Sequence, residues 1–333
     1  MVISRTPFRI SFFGGGTDYP AWYQKNDGAV LSTAINKYCY ITCRYLPPFF
    51  KYKHRIVYSK NETVSEIAEI DHPSVRETMR FLNIDKGLEI HHDGDLPSMS
   101  GLGSSSSFTV GLVNALSILN GTPKTKREIA MNAIHIEQNM IKENVGSQDQ
   151  TAAAFGGLNR INFGGDEEIS IKPLILSSSR LESLQNHLLL FFTGLSRDAS
   201  RIAKEQITNI KDRDVELKLM HRLVDEGEAI LKNNRKGLDE FGKLLNEGWQ
   251  IKKSLSSKIS NPYIDDVYKA GMQAGALGGK LLGAGGGGFI LFFAKPELHK
   301  KIKSKLKNLL FVPFRFDHLG SRIIYTGNDF EKF

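Results

Sequence analysis

The chain has 333 residues, enough for two domains or for one large domain with a substantial core. Hydrophobic residues make up 41% and charged residues 24%, which excludes an intrinsically disordered or collagen-like protein. The formal net charge of +8 favours an anionic ligand or, less specifically, nucleic acid.

The apolar stretches are much shorter than the ~20 residues that cross a bilayer, so no membrane span is predicted. The first residues are typical of a strand of the mature fold and lack the continuous apolar core of a signal peptide. We therefore expect a cytoplasmic enzyme.

The hydrophobic patterns predict mixed elements along the whole chain. In the first half we expect strands at 2–13, 29–44, 55–60, 88–92, 157–163 and 169–176, and helices at 74–82, 104–119 and 126–143. In the second half we expect strands at 187–193, 280–282, 289–294, 311–316 and 321–325, and helices within 200–256, 264–275 and 297–309. Both halves are therefore α+β, with a division predicted near residue 180.

Two smaller features have structural interpretations. Cys39 and Cys43 fall on one face of a strand, ~13 Å apart at ~3.3 Å per residue, which favours buried free thiols over a disulfide or a metal pair. The lysine-rich run 300–307 alternates with leucine and isoleucine at helical spacing. This spacing is typical of the solvent face of an amphipathic helix.

Glycine is concentrated at 14–16, 101–103 and 283–288. The third cluster matches G-x-G-x-x-G, but a strand is predicted after it where a dinucleotide-binding fold requires a helix. A Walker-type G-x-x-x-x-G-K-[ST] loop is absent from the sequence. The standard dinucleotide and P-loop sites are therefore excluded.

The segment 97–106 is rich in glycine and serine and lies between a predicted strand and an apolar helix. Glycines allow close backbone approach, and the start of the helix offers free N–H groups to phosphate oxygens. The segment thus has the composition of an anion-binding loop, although a loop that only caps the helix is the alternative.

Two carboxylates follow this loop. Glu137 lies in the middle of the apolar stripe of its predicted helix, where a charge is costly unless it pairs with a cation. A buried ion pair and a metal site both remain open for it. Asp149 lies in a glycine-bounded segment and, taken alone, is typical of a helix cap. Beside an anion-binding loop, two such carboxylates suit phosphoryl transfer.

Taken together, three segments resemble the motifs of the GHMP small-molecule kinases, in the same order. They are 7–19 (PFRISFFGGGTDY), 97–106 (PSMSGLGSSS) and 282–288 (LGAGGGG). The resemblance implies an N-terminal α/β domain of the ribosomal-protein domain 2-like type over 1–180, which binds ATP. It also implies a ferredoxin-like C-terminal domain over 181–333.

The resemblance also implies residue roles. Asp149 would be the catalytic base, Arg9 would stabilise its ionised form and the developing charge, and Ser105 and Glu137 would hold Mg²⁺. The nucleotide-binding residues would be Pro97, Gly101, Leu102, Gly103, Ser104, Ser105 and Ser106. The sugar and the transferring phosphate would contact Gly15, Gly16, Thr17, Asp18, Gly285, Gly286 and Gly287.

One departure from the family pattern concerns the sugar. Galactokinases carry a Glu-His pair where this chain has Gly15-Gly16, so two side chains that would touch a hexose are missing. This form of the motif, with the segment 192–197, is most similar to bacterial kinases of D-glycero-D-manno-heptose 7-phosphate. Those enzymes phosphorylate the anomeric hydroxyl, and Arg160 and Arg197 are the candidates here for binding the distal phosphate. Solvated surface charge is the alternative for both arginines.

The sequence predicts a small sugar phosphate as partner, with no nucleic acid or membrane, and a monomer or homodimer. Two other functions stay open at this point. One is a kinase of an unphosphorylated sugar such as fucose or another hexose. The other is a non-catalytic sugar-nucleotide sensor or RNA-binding module.

Overall fold

The computed structural model describes residues 1–98, 101–165, 168–195 and 199–327. The strands are β1 Val2–Phe13, β2 Gly28–Tyr45, β3 His54–Val57, β4 Asn61–Val64, β5 Leu88–Gly94, β6 Leu158–Phe163, β7 Ile169–Pro173, β8 Leu188–Phe192, β9 Gly278–Leu281, β10 Phe289–Phe293, β11 Leu310–Phe311, β12 Phe316–Asp317 and β13 Arg322–Thr326. The α-helices are α1 Pro20–Tyr23, α2 Pro73–Phe81, α3 Ser104–Leu119, α4 Lys126–His135, α5 Gln148–Phe155, α6 Ser178–Asn186, α7 Ala199–Asn209, α8 Asp214–Lys232, α9 Asp239–Ser254, α10 Pro262–Gln273 and α11 His299–Lys305. Short 3₁₀ turns occupy Ile67–Glu69, Ile210–Asp212 and Pro296–Leu298, and a π-helical segment occupies Ile136–Ile141.

The N-terminal sheet is organised by the long antiparallel pair β1–β2, whose register runs from Val2 opposite Cys43 to Phe13 opposite Leu31. Along the sheet the order is β13-β1-β2-β5-β3-β4. Strand β6 pairs with the first residues of β2, and β7 pairs with β6. Helix α3 packs across β1 and β2 and is buried over almost its whole length, since it carries small polar and apolar side chains and no charged one. This helix places the loop before it against the middle of β1.

The C-terminal sheet has the order β11-β8-β10-β9, and its strands are all antiparallel. In chain order the unit is a strand, helices, two strands, a helix and a strand. The predicted ferredoxin-like arrangement is confirmed. Helices α7 to α10 connect β8 to β9, and α9 packs on β9.

The last strands differ from the predicted domain division. Strand β12 pairs with β2, and β13 pairs with the first residues of β1. Residues 316–326 therefore complete the N-terminal sheet and do not extend the C-terminal unit, since they cover edges that would otherwise be unpaired. The boundary near residue 180 stays a prediction.

Several elements differ in detail from the sequence expectation. The helix predicted over 126–143 changes to π-helical geometry after His135, and the strand predicted over 311–316 splits into β11 and β12 on different sheets, with Pro313 between them. Helices α5 and α6 were not predicted because both are short. Cys39 and Cys43 are free and fully buried, as predicted. Ile302 is the buried side of α11, and most of its lysines are exposed, also as predicted.

Within the described residues, no helix is both long and apolar enough to cross a membrane.

Candidate active site

A cleft of about 360 Å³ lies where the two sheets face each other. Its walls include residues of all three glycine-rich segments, the start of α5, and side chains of α7, α9 and β9. The structure therefore brings together segments that are far apart in the sequence.

Arg9 lies on β1 opposite Ala34, and its side chain is almost fully buried beneath this cleft. Its Nε donates to Asp149 Oδ1 at 2.7 Å, and its Nη2 donates to Oδ2 at 2.8 Å. The remaining nitrogen, Nη1, donates to the Gly101 carbonyl oxygen at 2.8 Å. The contact with Asp149 is therefore bidentate and charge-assisted. Through these bonds the Arg9 guanidinium connects β1 with the second glycine loop and with α5.

Asp149 lies in the first turn of α5, where the helix dipole favours a negative charge. Its side chain is 24% exposed and lines the cleft, so part of the carboxylate is open to a bound molecule. A Cβ added to Gly103 would lie 3.2 Å from Asp149 Oδ2, which shows how closely the loop backbone packs on this carboxylate. The predicted base and the predicted arginine are therefore in direct contact, although their catalytic roles stay predictions.

Two glycines of the loop before α3 have backbone conformations that favour glycine. Gly101 and Gly103 have φ values of +87° and +76°, a region that L side chains rarely adopt. Ser104 and Ser105 line the cleft at the start of the helix. Leu102 instead is fully buried, and its carbonyl oxygen accepts the Arg9 N–H at 3.1 Å.

Pro97 is exposed and does not line the cleft, and residues 99 and 100 of the motif lie outside the described residues. Among the described residues of the predicted nucleotide-binding set, Pro97 alone is exposed to solvent outside the cleft.

Glu137 lies in the π-helical segment, and its side chain is fully buried. Its Oε2 accepts hydrogen bonds from Ser106 Oγ at 2.9 Å and from Gln150 Nε2. Its Oε1 has no hydrogen-bond partner among the described residues. Burial raises the pKa of Glu137 to about 7, although hydrogen bonds from neighbouring side chains oppose the shift. No cation pairs with this carboxylate in the described part of the chain, so the ion-pair alternative is not supported.

The serine that contacts Glu137 is Ser106, whereas the predicted metal pair was Ser105 with Glu137. Consecutive helical residues point ~100° apart, so the two serines face different directions. Both serines line the cleft, but Ser105 is exposed, whereas Ser106 is buried and its hydroxyl contacts the carboxylate. Both hydroxyls lie in the first turn of α3, and both are within the predicted phosphate-binding set.

The segment from Gly14 to Asp18 forms another wall, and Gly15, Gly16 and Asp18 line the cleft. The Asp18 carboxylate is nearly fully buried and accepts the Gly16 N–H at 2.9 Å. Burial raises the pKa of Asp18, while that hydrogen bond acts in the opposite direction. The two glycines leave space beside a carboxylate that can accept hydrogen bonds from hydroxyl groups.

Thr17 does not face this space. Its side chain is fully buried, its hydroxyl lies 2.8 Å from the Gly14 carbonyl oxygen, and it accepts the Ala29 N–H at 3.1 Å. Thr17 therefore holds the glycine segment on β2, and the structure does not support a direct contact with substrate.

The third glycine cluster is divided between two environments. Gly283 and Ala284 line the cleft, and a Cβ on Gly283 would lie 2.5 Å from Gly101 Cα. Gly285, Gly286 and Gly287 do not line it. A Cβ on Gly285 would meet the Ile259 backbone, Gly286 donates its N–H to the Ile259 carbonyl oxygen, and a Cβ on Gly287 would meet Leu195. These three glycines permit close packing of the turn, so their predicted substrate contact is not supported.

Arg160 lies on β6, outside the cleft. Its Nη1 bonds Asp225 at 2.6 Å and Glu228 at 3.0 Å, and its Nε donates to Asn162. Its charge is thus used to attach α8 to the sheet, and the structure does not support its predicted phosphate contact. Arg197 lies outside the described residues.

Two buried lysines in the cleft were not predicted. Lys280 on β9 donates to the Phe12 carbonyl oxygen at 2.7 Å, and Lys252 on α9 donates to the Gly283 carbonyl oxygen. Burial, and after it the charge of Arg9, lowers the pKa of Lys280 to about 7. The only sequence signal for Lys280 was a lysine inside a short apolar strand directly before a glycine cluster.

Known proteins share this arrangement. Residues 67–157 match the GHMP kinases N terminal domain, and residues 228–310 match the GHMP kinases C terminal domain. The D-glycero-alpha-D-manno-heptose 7-phosphate kinase of Campylobacter jejuni is 30% identical over 317 residues, which cover 88% of this chain and 89% of that protein. The bifunctional fucokinase/GDP-fucose pyrophosphorylase of Arabidopsis thaliana is 26% identical over 90% of this chain, which spans 30% of that longer protein.

A crystal structure of a D-glycero-D-manno-heptose 1-phosphate kinase from Bacteroides thetaiotaomicron superposes with a TM-score of 0.77 and 25% identity, covering 98% of this chain and 100% of that one. The galactokinase of Lactococcus lactis shares the fold, with a TM-score of 0.73 at 19% identity. Both the sequence relatives and the arrangement of the cleft lead to one conclusion: the chain belongs to the GHMP kinase family and is an ATP-dependent sugar kinase.

Proposed function

We propose that this enzyme transfers the γ-phosphoryl group of ATP to the anomeric hydroxyl of D-glycero-D-manno-heptose 7-phosphate, giving heptose 1,7-bisphosphate. The observation that carries the proposed chemistry is the bidentate contact between Arg9 and Asp149, at the meeting point of the glycine loop and the sugar-sized space. The heptose assignment is supported by the Campylobacter jejuni relative and by the two glycines beside Asp18.

In this reaction the anomeric oxygen attacks the γ-phosphorus, and the bond from that phosphorus to the β–γ bridging oxygen breaks. ADP leaves with the bonding electron pair. Asp149 accepts the proton of the hydroxyl, and Arg9 keeps the carboxylate oriented through two hydrogen bonds. The same arginine reaches the Gly101 carbonyl oxygen, so the base is fixed relative to the nucleotide loop.

The nucleotide phosphates would lie at the start of α3. The N–H groups at this helix end and the hydroxyls of Ser104 and Ser105 are suited to phosphate oxygens. Gly101 and Gly103 have no side chains, so the backbone can approach the phosphates closely.

We also propose that Mg²⁺ is required. The unpartnered Oε1 of the buried Glu137 and the adjacent serine hydroxyls are the oxygen ligands that this ion prefers, so the residues present fit it. Glu137 would hold it with Ser105 or Ser106. When bound, Mg²⁺ neutralises charge on the β- and γ-phosphates.

The sugar would occupy the space beside Gly15 and Gly16, with hydroxyl groups donating to Asp18. A heptose phosphate is larger than a hexose, and two glycines there leave more room than a pair of long side chains would. We expect the enzyme to act in the cytoplasm, as a monomer or homodimer. Its product would supply nucleotide-activated heptose for surface polysaccharides.

The test is ADP release from the purified enzyme with Mg-ATP and one sugar at a time. D-glycero-D-manno-heptose 7-phosphate is compared with unphosphorylated heptose, mannose, fucose and galactose. Turnover that is confined to the phosphorylated heptose supports the proposal. Equal turnover of heptose with and without its phosphate contradicts the requirement for the distal phosphate.

A kinase of an unphosphorylated sugar is the second candidate, and the Arabidopsis thaliana relative favours it. Preferential turnover of fucose or another neutral hexose would establish this function with the same cleft chemistry. A sensor or RNA-binding module without activity finds no support, since the paired Arg9 and Asp149 and the buried Glu137 serve no purpose in passive binding.

A further inference from the structure

Lys280 is a buried cation at the wall of the cleft formed by the C-terminal sheet. Its side chain is 4% exposed, yet it contributes to the lining of the cleft. In the described residues, one hydrogen bond accounts for its ammonium, the contact of 2.7 Å with the Phe12 carbonyl oxygen. An ammonium has three donors, so two of them have no hydrogen-bond partner among the described residues, in a side chain that lines the cleft.

The charges around Lys280 do not compensate it. Arg9 on β1 repels it and contributes to the lowering of its pKa to about 7, after burial itself. The other charged groups that line the same cleft are Asp18 of the glycine segment, Glu143 of the loop before α5, Asp149 of α5 and Lys252 of α9. Asp149 already forms a bidentate contact with Arg9, and no carboxylate of the described residues forms an ion pair with Lys280. Burying a cation without an anionic partner costs free energy, and a bound anion in the cleft would remove that cost.

We propose that Lys280 is a further catalytic residue, whose ammonium contacts the terminal phosphate of ATP beside Arg9 and retains this contact as the phosphoryl group moves to the sugar. The proposal rests on the proposed function, because it takes ATP as the phosphate donor. The position beside Arg9, which holds the base, favours the transferring phosphate over the distal phosphate of the sugar. The distal phosphate lies at the opposite end of the substrate from the reacting hydroxyl.

A purely structural role is the alternative, since Lys280 also ties β9 to the end of β1. Two variants separate the roles. Lys280→Gln keeps a neutral N–H donor one bond shorter, whereas Lys280→Met removes both the donor and the charge. Lys243→Gln is the matched control, because Lys243 is an exposed lysine of α9 that pairs with Glu240.

If the charge contacts the transferring phosphate, both Lys280 variants lose at least ~100-fold in kcat, while the KM for ATP changes less. Lys243→Gln behaves as wild type. If Lys280→Gln retains the wild-type kcat and only Lys280→Met is impaired, the tether explains Lys280 and the proposal fails. Melting temperatures of all variants show whether a loss reflects misfolding.

A second measurement needs no variant and no sugar. Binding of Mg-AMP-PNP to the wild-type enzyme is measured by calorimetry at pH 8 in two buffers of different ionisation enthalpy. Because the pKa of Lys280 is lowered to about 7, we expect this lysine to be largely neutral at pH 8 in the free enzyme, so contact with the phosphate should draw up to about one proton onto it. Absence of proton uptake overturns the proposal.

The two measurements also separate this proposal from the proposed function. Proton uptake with no turnover of any tested sugar leaves Lys280 as a phosphate contact and contradicts the heptose assignment. Turnover of the heptose phosphate without proton uptake contradicts the role of Lys280 alone.

Discussion

The start of α5 and the π-helical segment each supply a carboxylate, and the two carboxylates have opposite environments. Asp149 of α5 forms a bidentate contact with Arg9 and opens onto the cleft. Glu137 of the π-helical segment is fully buried, contacts only neutral side chains among the described residues, and has a raised pKa. The comparison teaches that two carboxylates of one site can differ through their partners: an arginine orients Asp149, whereas Glu137 has no cationic partner among the described residues.

Substitution of the oriented carboxylate has the largest expected effect. Asp149→Asn removes the proton acceptor while keeping the size of the side chain, so we expect kcat to fall by about 10²–10⁴-fold. Nucleotide affinity, measured by calorimetry with AMP-PNP, should stay within a few-fold of wild type, because the described residues of the proposed phosphate loop donate no hydrogen bond to Asp149. Asp239→Asn, on an exposed aspartate at the start of α9, is the control. Wild-type turnover by Asp149→Asn would remove this residue from the mechanism.

Substitution of the buried carboxylate sharpens the comparison through stability. Burial raises the Glu137 pKa from 4.5 to about 7, so the fold favours the protonated acid. The resulting cost is absent below pH 4.5, grows as the pH rises, and is complete above about pH 7. Without Mg²⁺ at pH 8, Glu137→Gln should therefore increase the free energy of unfolding by about 3 kcal/mol.

The same variant should lose ~100-fold or more in turnover, because a neutral amide is a poor partner for a divalent cation. In the wild-type enzyme, the Mg²⁺ concentration for half-maximal activity should rise as the pH falls below about 7. Thermal unfolding at several pH values, with and without Mg²⁺, measures both effects. A variant that is less stable than wild type at pH 8 would contradict the description of Glu137 as an uncompensated charge.

A third carboxylate, Asp18, gives the smallest expected effect. A Cβ on Gly146 would lie 1.8 Å from Asp18 Oδ2, so Gly146→Ala must displace this carboxylate. We expect the KM for the sugar to rise about tenfold with the KM for ATP unchanged, since one or two hydrogen bonds to the sugar are weakened. Gly237→Ala is the matched control, because a Cβ there meets open space. A change in the KM for ATP alone would place Asp18 in the nucleotide site.

Most of the fold was predictable because it rests on local patterns. Strands β1 and β2 and helix α3 each show their hydrophobic pattern within one continuous stretch of sequence. The three glycine segments identify the family. Arg9 lies in the first of these segments, whereas Glu137 and Asp149 lie outside all three and are indicated by the apolar stripe of a predicted helix and by a glycine-bounded segment. The contact between Arg9 and Asp149 joins residues 140 positions apart, so no local pattern in the sequence shows it.

Other features depend on partners that are distant in the sequence. The change to π-helical geometry at Ile136 leaves no mark in the spacing of apolar residues, and the contact between Ser106 and Glu137 joins residues 31 positions apart. Lys280 is one lysine in a strand of four residues. Its hydrogen bond is to the carbonyl oxygen of Phe12, 268 positions away, so no local pattern indicates it. Arg160 is the opposite case: the sequence makes it a candidate for a phosphate contact or a surface charge, and its ion pairs with Asp225 and Glu228 of α8 depend on residues 65 and 68 positions away.

The return of β13 to β1 affects how the protein is synthesised. Residues Val2–Arg5 of β1 pair with Arg322–Thr326, so the N-terminal sheet is complete only when nearly all of the described chain has left the ribosome. At translation rates of about 5–20 residues per second, the first strand waits on the order of ten seconds with one edge open after the first half has emerged. The strand that carries Arg9 is therefore among the earliest to be made and the last to be fully paired. Its unpaired edge is the part of the nascent chain that a chaperone would shield from pairing with other chains.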